Sequence, residues 1–188
     1  MLEAVAGDGK RCYAEHMTVS RNFTACDDVA LETLAGELGR RLLARGLKLV
    51  TAESCTGGWI AKCVTDIAGS SEWFERGYVT YSNEAKRENL GVSADSLSLH
   101  GAVSEQAVRE MAMGAAQRGQ APLAVAVSGI AGPDGGSADK PVGTVWIAWH
   151  WPDRHITARS FRFDGDREAV RRQAVAAALQ GLLDGLGG

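Results

Sequence analysis

The sequence contains no pair of cysteines spaced as CxxC, although it has four cysteines among its 188 residues. Its four histidines also show no spacing typical of metal ligands. These absences argue against a structural zinc site and against a disulfide framework, and we expect no metal. Reduced thiols in a cytoplasmic protein are the simpler interpretation.

Long apolar runs and a basic excess are missing as well. No run of about 18 apolar residues occurs, so we expect no membrane span. The first residues are charged without an apolar stretch between the charges, which is not the pattern of a secretory signal. The net charge is -3, with acids and bases interspersed, so we expect no nucleic-acid partner. A small anionic ligand held by one or two arginines is compatible with this balance.

The composition that remains is that of a soluble globular protein. Hydrophobic residues make up 45% and charged residues 23% of the chain, and its length suits one domain with a sizeable core. Residues 1–26 show no clear period. They are expected to be an N-terminal extension, either mobile or upstream of a natural start at Met17, and residues 27–188 are expected to form the domain.

Capping residues and apolar spacing predict helices that alternate with strands. In chain order, the predicted elements are a helix from 27 or 28 to 46, a strand at 47–52, a helix at 59–67, a strand at 77–81, a short helix from 82 or 83 to 91, a helix from 104, a strand at 123–127, a hairpin of 142–149 and 156–163, and a helix from 167 to 183. This order predicts a single three-layer α/β/α domain with a mixed, mostly parallel sheet.

The loop 53–58 is the first candidate site, because it follows a buried strand and precedes a helix. Ligands of α/β sheets bind at the carboxyl ends of strands. Small residues let backbone N–H groups approach a substrate, and a helix N-terminus favours developing negative charge. Ser54 is therefore a candidate nucleophile. The alternative is that Ser54 or Thr56 only caps the helix.

A serine nucleophile needs a base, and the sequence points to a lysine. The motifs GxSxG and SxxK are absent around Ser54, and the histidines lie in ordinary turns or strand ends. Lys86 follows the next predicted strand and can reach the same edge of the sheet, whereas Lys62 is expected to point outward. A basic lysine requires a desolvated site; the alternative for Lys86 is a solvated surface side chain. Cys55 is a second candidate nucleophile, without an evident histidine partner.

Two further segments are candidates for holding a substrate. The loop 128–137 follows a strand and is rich in glycine, so its main-chain N–H groups are candidates for binding a ribose or a phosphate; the alternative is a long turn. Arg167 stands at a predicted helix N-terminus, which is unfavourable for a cation unless it binds an anion. It is a candidate phosphate ligand, with an ion pair to Asp166 or Glu168 as the alternative.

Five motifs occur in an order that resembles one known family. They are Thr51-Ala52-Glu53-Ser54-Cys55-Thr56-Gly57-Gly58, Tyr81-Ser82-Asn83-Glu84-Ala85-Lys86, Gly101-Ala102-Val103-Ser104-Glu105, Ser128-Gly129-Ile130-Ala131-Gly132-Pro133 and Pro141-Val142-Gly143-Thr144-Val145. Together they resemble the CinA C-terminal domain family, in its stand-alone nicotinamide-nucleotide amidase form. The resemblance extends from about residue 30 to the end. Longer members carry an N-terminal nucleotide-pyrophosphatase domain, whose activity is not expected here.

The resemblance implies hydrolysis of nicotinamide mononucleotide to nicotinate mononucleotide and ammonia, in pyridine-nucleotide recycling. It implies no metal or other cofactor, and it implies a homodimer. The implied catalytic residues are Ser54 as nucleophile, Lys86 as base and Tyr81 near that lysine. The implied substrate-binding residues are Glu53, Thr56, Gly57, Gly58, Asn83, Ser128, Gly129, Ala131, Gly132 and Arg167. Backbone N–H groups near Thr56, Gly57 and Gly58 are expected to hold the oxyanion.

Two other classes of function remain open from the sequence. The same pocket in a non-catalytic module of the CinA family would bind a nucleotide without chemistry. That module would not need a neutral lysine facing Ser54. A redox protein that uses Cys55 and Cys63 is the third class, but their spacing fits no redox motif.

Overall fold

Five strands form one mixed sheet in the computed structural model, which describes residues 23 and 26–187. The predictions for residues 1–22 and 24–25 lie outside the described residues. The strands are β1 (Leu49–Glu53), β2 (Phe74–Val79), β3 (Leu123–Gly129), β4 (Thr144–His150) and β5 (Ile156–Arg162). Their order across the sheet is β2-β1-β3-β4-β5.

The pairing of neighbouring strands defines their relative directions. β1 lies between β2 and β3 and is parallel to both, with Glu53 opposite Val79 on one side and Val127 on the other. β4 is antiparallel to β3 and to β5. Four of the five strands therefore run in one direction, and the predicted mixed, mostly parallel sheet is confirmed.

Helices cover both faces of this sheet. They are α1 (Asp28–Arg45), α2 (Trp59–Thr65), α3 (Asn83–Leu90), α4 (Ala94–His100), α5 (Glu105–Gly119) and α6 (Arg167–Leu186). One apolar core joins α1, α2 and α6 to one face, and a second joins α3 and α5 to the other. The predicted three-layer arrangement is confirmed. Among the described residues, no helix has the length and apolar character needed to cross a membrane.

Helix ends lie where the sequence placed its capping residues. The Asp27 carboxylate accepts a hydrogen bond from the Ala30 N–H at 2.8 Å, so α1 begins there. The Ser82 hydroxyl accepts from the Ala85 N–H in the same way, and α3 ends at Gly91 in the left-handed region. The short α3 is thereby fixed at both ends, which determines where its second turn projects.

Two differences from the predicted elements have physical causes. β2 begins at Phe74, before the predicted 77, because it is an edge strand whose exposed positions carry charges that obscure the apolar pattern. α4 and a single 3₁₀ turn, Ser70–Glu72, were not predicted. Both are short, and α4 buries little besides Ser96, so neither has a strong apolar period.

Candidate active site

Ser54 is the first residue after β1, and it lies at the edge of the sheet where β2 and β3 also end. Its N–H donates to the carbonyl of Val127 at 3.0 Å, which continues the pairing of β1 with β3 by one residue. The side chain is 8% exposed. The serine therefore lies on a rigid strand end with a small opening to solvent, as a nucleophile on an α/β sheet requires.

Lys86 extends from the second turn of α3 into the space beside Ser54. Its Nζ lies 3.0 Å from Ser54 Oγ and donates to the carbonyl of Thr80 at 2.8 Å. A longer contact, 3.4 Å, joins it to the carbonyl of Tyr81. The side chain is only 1% exposed, so Lys86 is a buried lysine and not a solvated one. By contrast, Lys62 is exposed and pairs with Asp66 on the surface of α2.

Burial makes the neutral form of Lys86 more accessible than that of an exposed lysine. Burial lowers the pKa of the Lys86 ammonium below its ordinary value, because the charged form loses its hydration. The two carbonyls near Nζ accept hydrogen bonds only. A neutral amine directs its two N–H groups at Thr80 and Tyr81, and its lone pair then faces the hydroxyl of Ser54. In this arrangement Lys86 can act as a general base toward the Ser54 hydroxyl.

Cys55 is poorly suited to act as the nucleophile in place of Ser54. Burial raises the pKa of the Cys55 thiol to about 12, so its thiolate is scarce at neutral pH. Burial also raises the pKa of Cys63 to about 11. Both thiols are free. Neither has the low pKa that characterises reactive cysteines.

Glu53 holds the N-terminus of α2 from inside the protein. Its carboxylate accepts hydrogen bonds from the N–H groups of Gly58, Ile60 and Ala61 and from the hydroxyl of Thr56. The side chain is fully buried. The predicted substrate contact of Glu53 therefore needs correction: this carboxylate shapes the loop instead. The alternative of Ser54 or Thr56 as the helix cap is also not observed, because the N-cap is Gly58.

The loop 54–58 leaves specific N–H groups for an oxyanion. Gly57 and Gly58 have φ of +63° and +95°, which only glycine adopts readily. The Gly57 N–H donates to the Ser54 carbonyl at 3.1 Å, and the Gly58 N–H is bound to Glu53. Within the described part of the chain, neither the N–H of Cys55 nor the N–H of Thr56 donates a hydrogen bond to another main-chain carbonyl. These two amides, rather than those of both glycines, are the available donors beside Ser54.

Tyr81 and Arg167 connect the lysine loop to the glycine-rich loop. One guanidinium nitrogen of Arg167 donates to the hydroxyl of Tyr81 at 2.8 Å, and the other donates to the carbonyl of Gly132 at 2.8 Å. Tyr81 is 60% exposed. The hydroxyl of Tyr81 is bound to Arg167, and the contact of Tyr81 with Lys86 is made by its main-chain carbonyl. Arg167 forms no ion pair with Asp166 or Glu168 among the described residues; Asp166 caps α6 and Glu168 pairs with Arg172.

The remaining predicted residues lie along the same edge of the sheet. Asn83 is exposed in the first turn of α3. Ser128 is buried near the end of β3, opposite Trp146, and Gly129 ends that strand. Ala131 is buried in the loop that follows. Their roles in substrate binding stay a prediction.

Two contributors to the site were not predicted from the sequence. Thr80 contributes only its carbonyl, for which a sequence has no signature. Arg171 donates to the carbonyls of Cys55 and Thr56, immediately after the nucleophile. The sequence did carry one indication of this role. Arg171 lies four residues after Arg167 on a predicted helix, and residues with this spacing share a face, so Arg171 could have been placed beside the site. The described residues contain no group of three or more potential metal ligands.

Comparisons of sequence and fold show which known proteins this chain resembles. The sequence model of the CinA C-terminal domain matches residues 31–186. The chain is 59% identical over 155 residues to the nicotinamide-nucleotide amidohydrolase PncC of Escherichia coli (strain K12), covering 82% of this chain and 94% of that protein. It is 56% identical to PncC of Pseudomonas putida, covering 81% and 95%. A crystal structure of a CinA superfamily protein from Klebsiella pneumoniae superposes with a TM-score of 0.80 at 44% identity, covering 83% of this chain and 97% of that one. The chain belongs to the CinA C-terminal domain family.

Proposed function

We propose that this protein hydrolyses the carboxamide of nicotinamide mononucleotide to nicotinate mononucleotide and ammonia, with Ser54 as the nucleophile. The observation that carries the proposal is the 3.0 Å distance between Ser54 Oγ and the buried Nζ of Lys86. The similarity to proteins named nicotinamide-nucleotide amidohydrolase supports the substrate. A place in pyridine-nucleotide recycling is part of the proposal.

In the first half of the reaction, Lys86 Nζ takes the proton of the Ser54 hydroxyl while Oγ attacks the carboxamide carbon. The carbonyl oxygen becomes an oxyanion, for which the Cys55 and Thr56 amides are the proposed donors. Lys86 is then an ammonium, with N–H groups bound to the carbonyls of Thr80 and Tyr81. It returns its third proton to the amide nitrogen, the C–N bond breaks, and ammonia leaves.

In the second half, water resolves the acyl ester on Ser54. Lys86 takes a proton from the water, and the resulting hydroxide attacks the ester carbon. The C–O bond to Ser54 breaks, and the proton on Lys86 returns to Oγ. One lysine thus serves as base and acid in both halves, so no histidine is needed.

Arg167 is the proposed ligand of the nucleotide phosphate. Its guanidinium is exposed and its described partners, Tyr81 Oη and Gly132 O, are uncharged, so its charge remains available to an anion. The backbone of the loop 129–132 supports the ribose or phosphate alongside it. The phosphate then anchors the nucleotide at a distance from the amide, and binding energy from this end orients the carboxamide at Ser54.

The test is ammonia release from nicotinamide mononucleotide by the wild-type protein and by Ser54→Ala. We expect release by the wild type alone, with the variant folded because the substitution removes only one small hydroxyl. Mass spectrometry after a serine-reactive probe should find the adduct on Ser54, and Cys55→Ala should still be labelled there. Equal ammonia release by wild type and Ser54→Ala would refute the serine mechanism.

The alternative function is a non-catalytic nucleotide-binding module of the same family. The buried Lys86 facing Ser54 favours the enzyme, since binding alone does not require a buried amine beside a hydroxyl. Binding of the mononucleotide with neither ammonia release nor a Ser54 adduct would favour the module.

A homodimer in the cytoplasm is also part of the proposal. β2 is an edge strand with the exposed side chain of Val79, and Tyr81 follows it. Such an edge is a surface on which a second copy can pack. Sedimentation of the full chain at several concentrations tests this; a monomer at every concentration would contradict it.

A further inference from the structure

Arg171 holds the two peptides that follow the nucleophile. Its Nε donates to the carbonyl of Cys55 at 3.1 Å, and its Nη2 donates to the carbonyl of Thr56 at 2.8 Å. It lies four residues after Arg167 on α6, so the two arginines project from the same face of the helix. The first turns of α6 therefore present one cation to the glycine-rich loop and one to the loop 54–58.

The bonds of Arg171 differ in kind from those of the next residue. Arg172 forms ion pairs with Glu168 and Asp28. For Arg171, the hydrogen bonds found in the described part of the chain go to backbone carbonyls, and no ion pair is found there. Like charges spaced four apart on a helix are unfavourable. The half-buried Arg171 is therefore better explained by the loop it binds than by the stability of α6.

The geometry of the peptide bond links these contacts to the oxyanion. In a trans peptide, the C=O and N–H groups of one plane point in opposite directions. Because the Cys55 carbonyl points at Arg171, the Thr56 N–H points away from it. The Thr56 carbonyl also points at Arg171, and the Gly57 N–H correspondingly points back to the Ser54 carbonyl. Arg171 thus fixes the orientation of both planes.

A charged donor on a carbonyl also strengthens the N–H of the same peptide as a donor, because hydrogen bonds in series polarise one another. We propose that Arg171 is a positioning residue for the reaction: its guanidinium orients and polarises the peptide that presents the Thr56 N–H to the oxyanion. This inference rests on the proposed amidase function. Arg171 does not touch the substrate and is distinct from the proposed phosphate ligand Arg167.

Packing alone is the competing explanation, and the molecule offers a matched control for it. The guanidinium groups of Arg171 and Arg172 lie 5.2 Å and 4.9 Å from the centroid of the Trp59 ring. Both residues thus make the same cation–π contact from adjacent positions on α6. Of the two arginines, Arg171 donates to the carbonyls of Cys55 and Thr56, whereas the described bonds of Arg172 go to Glu168 and Asp28. Loss of packing on Trp59 should affect Arg171→Met and Arg172→Met alike. Loss of peptide orientation should affect Arg171→Met only.

The experiment compares Arg171→Met, Arg171→Lys and Arg172→Met in steady-state hydrolysis of nicotinamide mononucleotide. We expect Arg171→Met to lower kcat on the order of 10²-fold with KM little changed, because misplaced groups reduce the rate by about that factor. Arg171→Lys should be intermediate, since an ammonium cannot reproduce the fork of a guanidinium. Arg172→Met should retain the wild-type kcat. An unchanged kcat in Arg171→Met, or the same loss in Arg172→Met, would overturn the inference.

A second readout separates this inference from the proposed substrate. In a fluorophosphonate probe, Ser54 Oγ attacks the phosphorus, the P–F bond breaks and fluoride leaves. The phosphoryl oxygen then occupies the oxyanion position, so the labelling rate does not depend on the nucleotide. If the wild type releases no ammonia, the proposed substrate fails, and the inference is then judged on labelling alone. Slower labelling in Arg171→Met than in Arg172→Met supports it. Equal rates, or no labelling of the wild type, contradict it.

Discussion

Lys86 Nζ and Ser54 Oγ lie 3.0 Å apart although 32 positions separate the two residues in the chain. The contact exists because β1 and β2 are adjacent and parallel, so the loops after them meet at one edge of the sheet. Ser54 is the first residue of one loop. Lys86 is reached through the short α3 that begins immediately after the other, and Ser82 fixes the start of that helix. Two local features and one strand pairing therefore bring the proposed base and the proposed nucleophile together.

The pH dependence of the reaction should report the lowered pKa of Lys86. The neutral amine is the base, so kcat/KM should rise tenfold per pH unit and reach a plateau at the lowered pKa, below the range of an ordinary lysine. A pH-rate profile from about pH 5 to about pH 10.4, the ordinary pKa of lysine, checks this. Lys86→Arg should be inactive throughout, because arginine stays charged. A plateau only in the range of free lysine would contradict the assignment.

Protein stability should depend on the same group with a definite sign. Burial lowers the pKa of Lys86 in the folded state, so between that pKa and the ordinary lysine value the unfolded chain binds more protons. The contribution of Lys86 to the free energy of unfolding should therefore rise with pH across this window. Above the ordinary pKa of cysteine, the buried thiols of Cys55 and Cys63 contribute in the opposite direction, so the prediction concerns the difference between the wild type and Lys86→Met. Lys86→Met should remove that rise, and urea unfolding of both proteins at several pH values measures it. A parallel pH dependence in the variant would contradict the burial argument.

Arg167→Gln should impair binding of the phosphate without impairing the chemistry. Hydrogen bonds to charged groups contribute about 1.5–3 kcal/mol, so KM for nicotinamide mononucleotide should rise roughly 10- to 100-fold with little change in kcat. Tyr81→Phe removes a partner of that guanidinium and should also act mainly on KM. A loss of kcat in Tyr81→Phe would instead indicate that the Tyr81 hydroxyl takes part in the chemical step.

The control for this prediction is the substrate without its phosphate. Nicotinamide riboside retains the amide and the ribose, so the wild type and Arg167→Gln should hydrolyse it with similar kcat/KM. An equal defect of Arg167→Gln on both substrates would show that the arginine acts on the loops and not on the phosphate.

Strand ends and residue type were enough to predict that Ser54 and Lys86 lie at the same edge of the sheet, and the structure brings them into contact there. Their roles as nucleophile and base stay a prediction. Ser54 and Lys86 follow neighbouring strands, and a lysine was the remaining base once the serine motifs and histidines were set aside. The contributions of Thr80 and Arg171 were not identified because backbone carbonyls are shared by all residues and leave no pattern. Their roles depend on peptide orientation, which only the folded chain defines.

The role of Glu53 was misassigned for a related reason. A carboxylate beside a nucleophile suggests contact with substrate, and the sequence does not reveal whether it points outward or inward. The alternation of β1 and the burial of the strand on both faces turn this side chain inward, to the N-terminus of α2. Short polar elements such as α4 escaped prediction because they lack an apolar period.

Glu53→Gln should destabilise the protein more than the same substitution of a glutamate at the surface does. The carboxylate accepts four hydrogen bonds, three of them from N–H groups at the start of α2. Glutamine replaces one acceptor oxygen with an NH₂ group that faces those donors, so at least one buried N–H loses its partner. We expect a loss of about 2–4 kcal/mol in the free energy of unfolding, measured by urea denaturation of the full chain.

Glu75→Gln is the matched control, because Glu75 is a glutamate in an ion pair with Lys48 at the surface. Such pairs contribute about 0–1 kcal/mol, so this variant should unfold close to the wild type. If Glu53→Gln were no less stable than Glu75→Gln, the buried carboxylate would not be what fixes the loop 54–58. The position of Ser54 would then depend on the pairing of β1 with its two neighbouring strands and on the bonds of Arg171 to the two residues that follow Ser54.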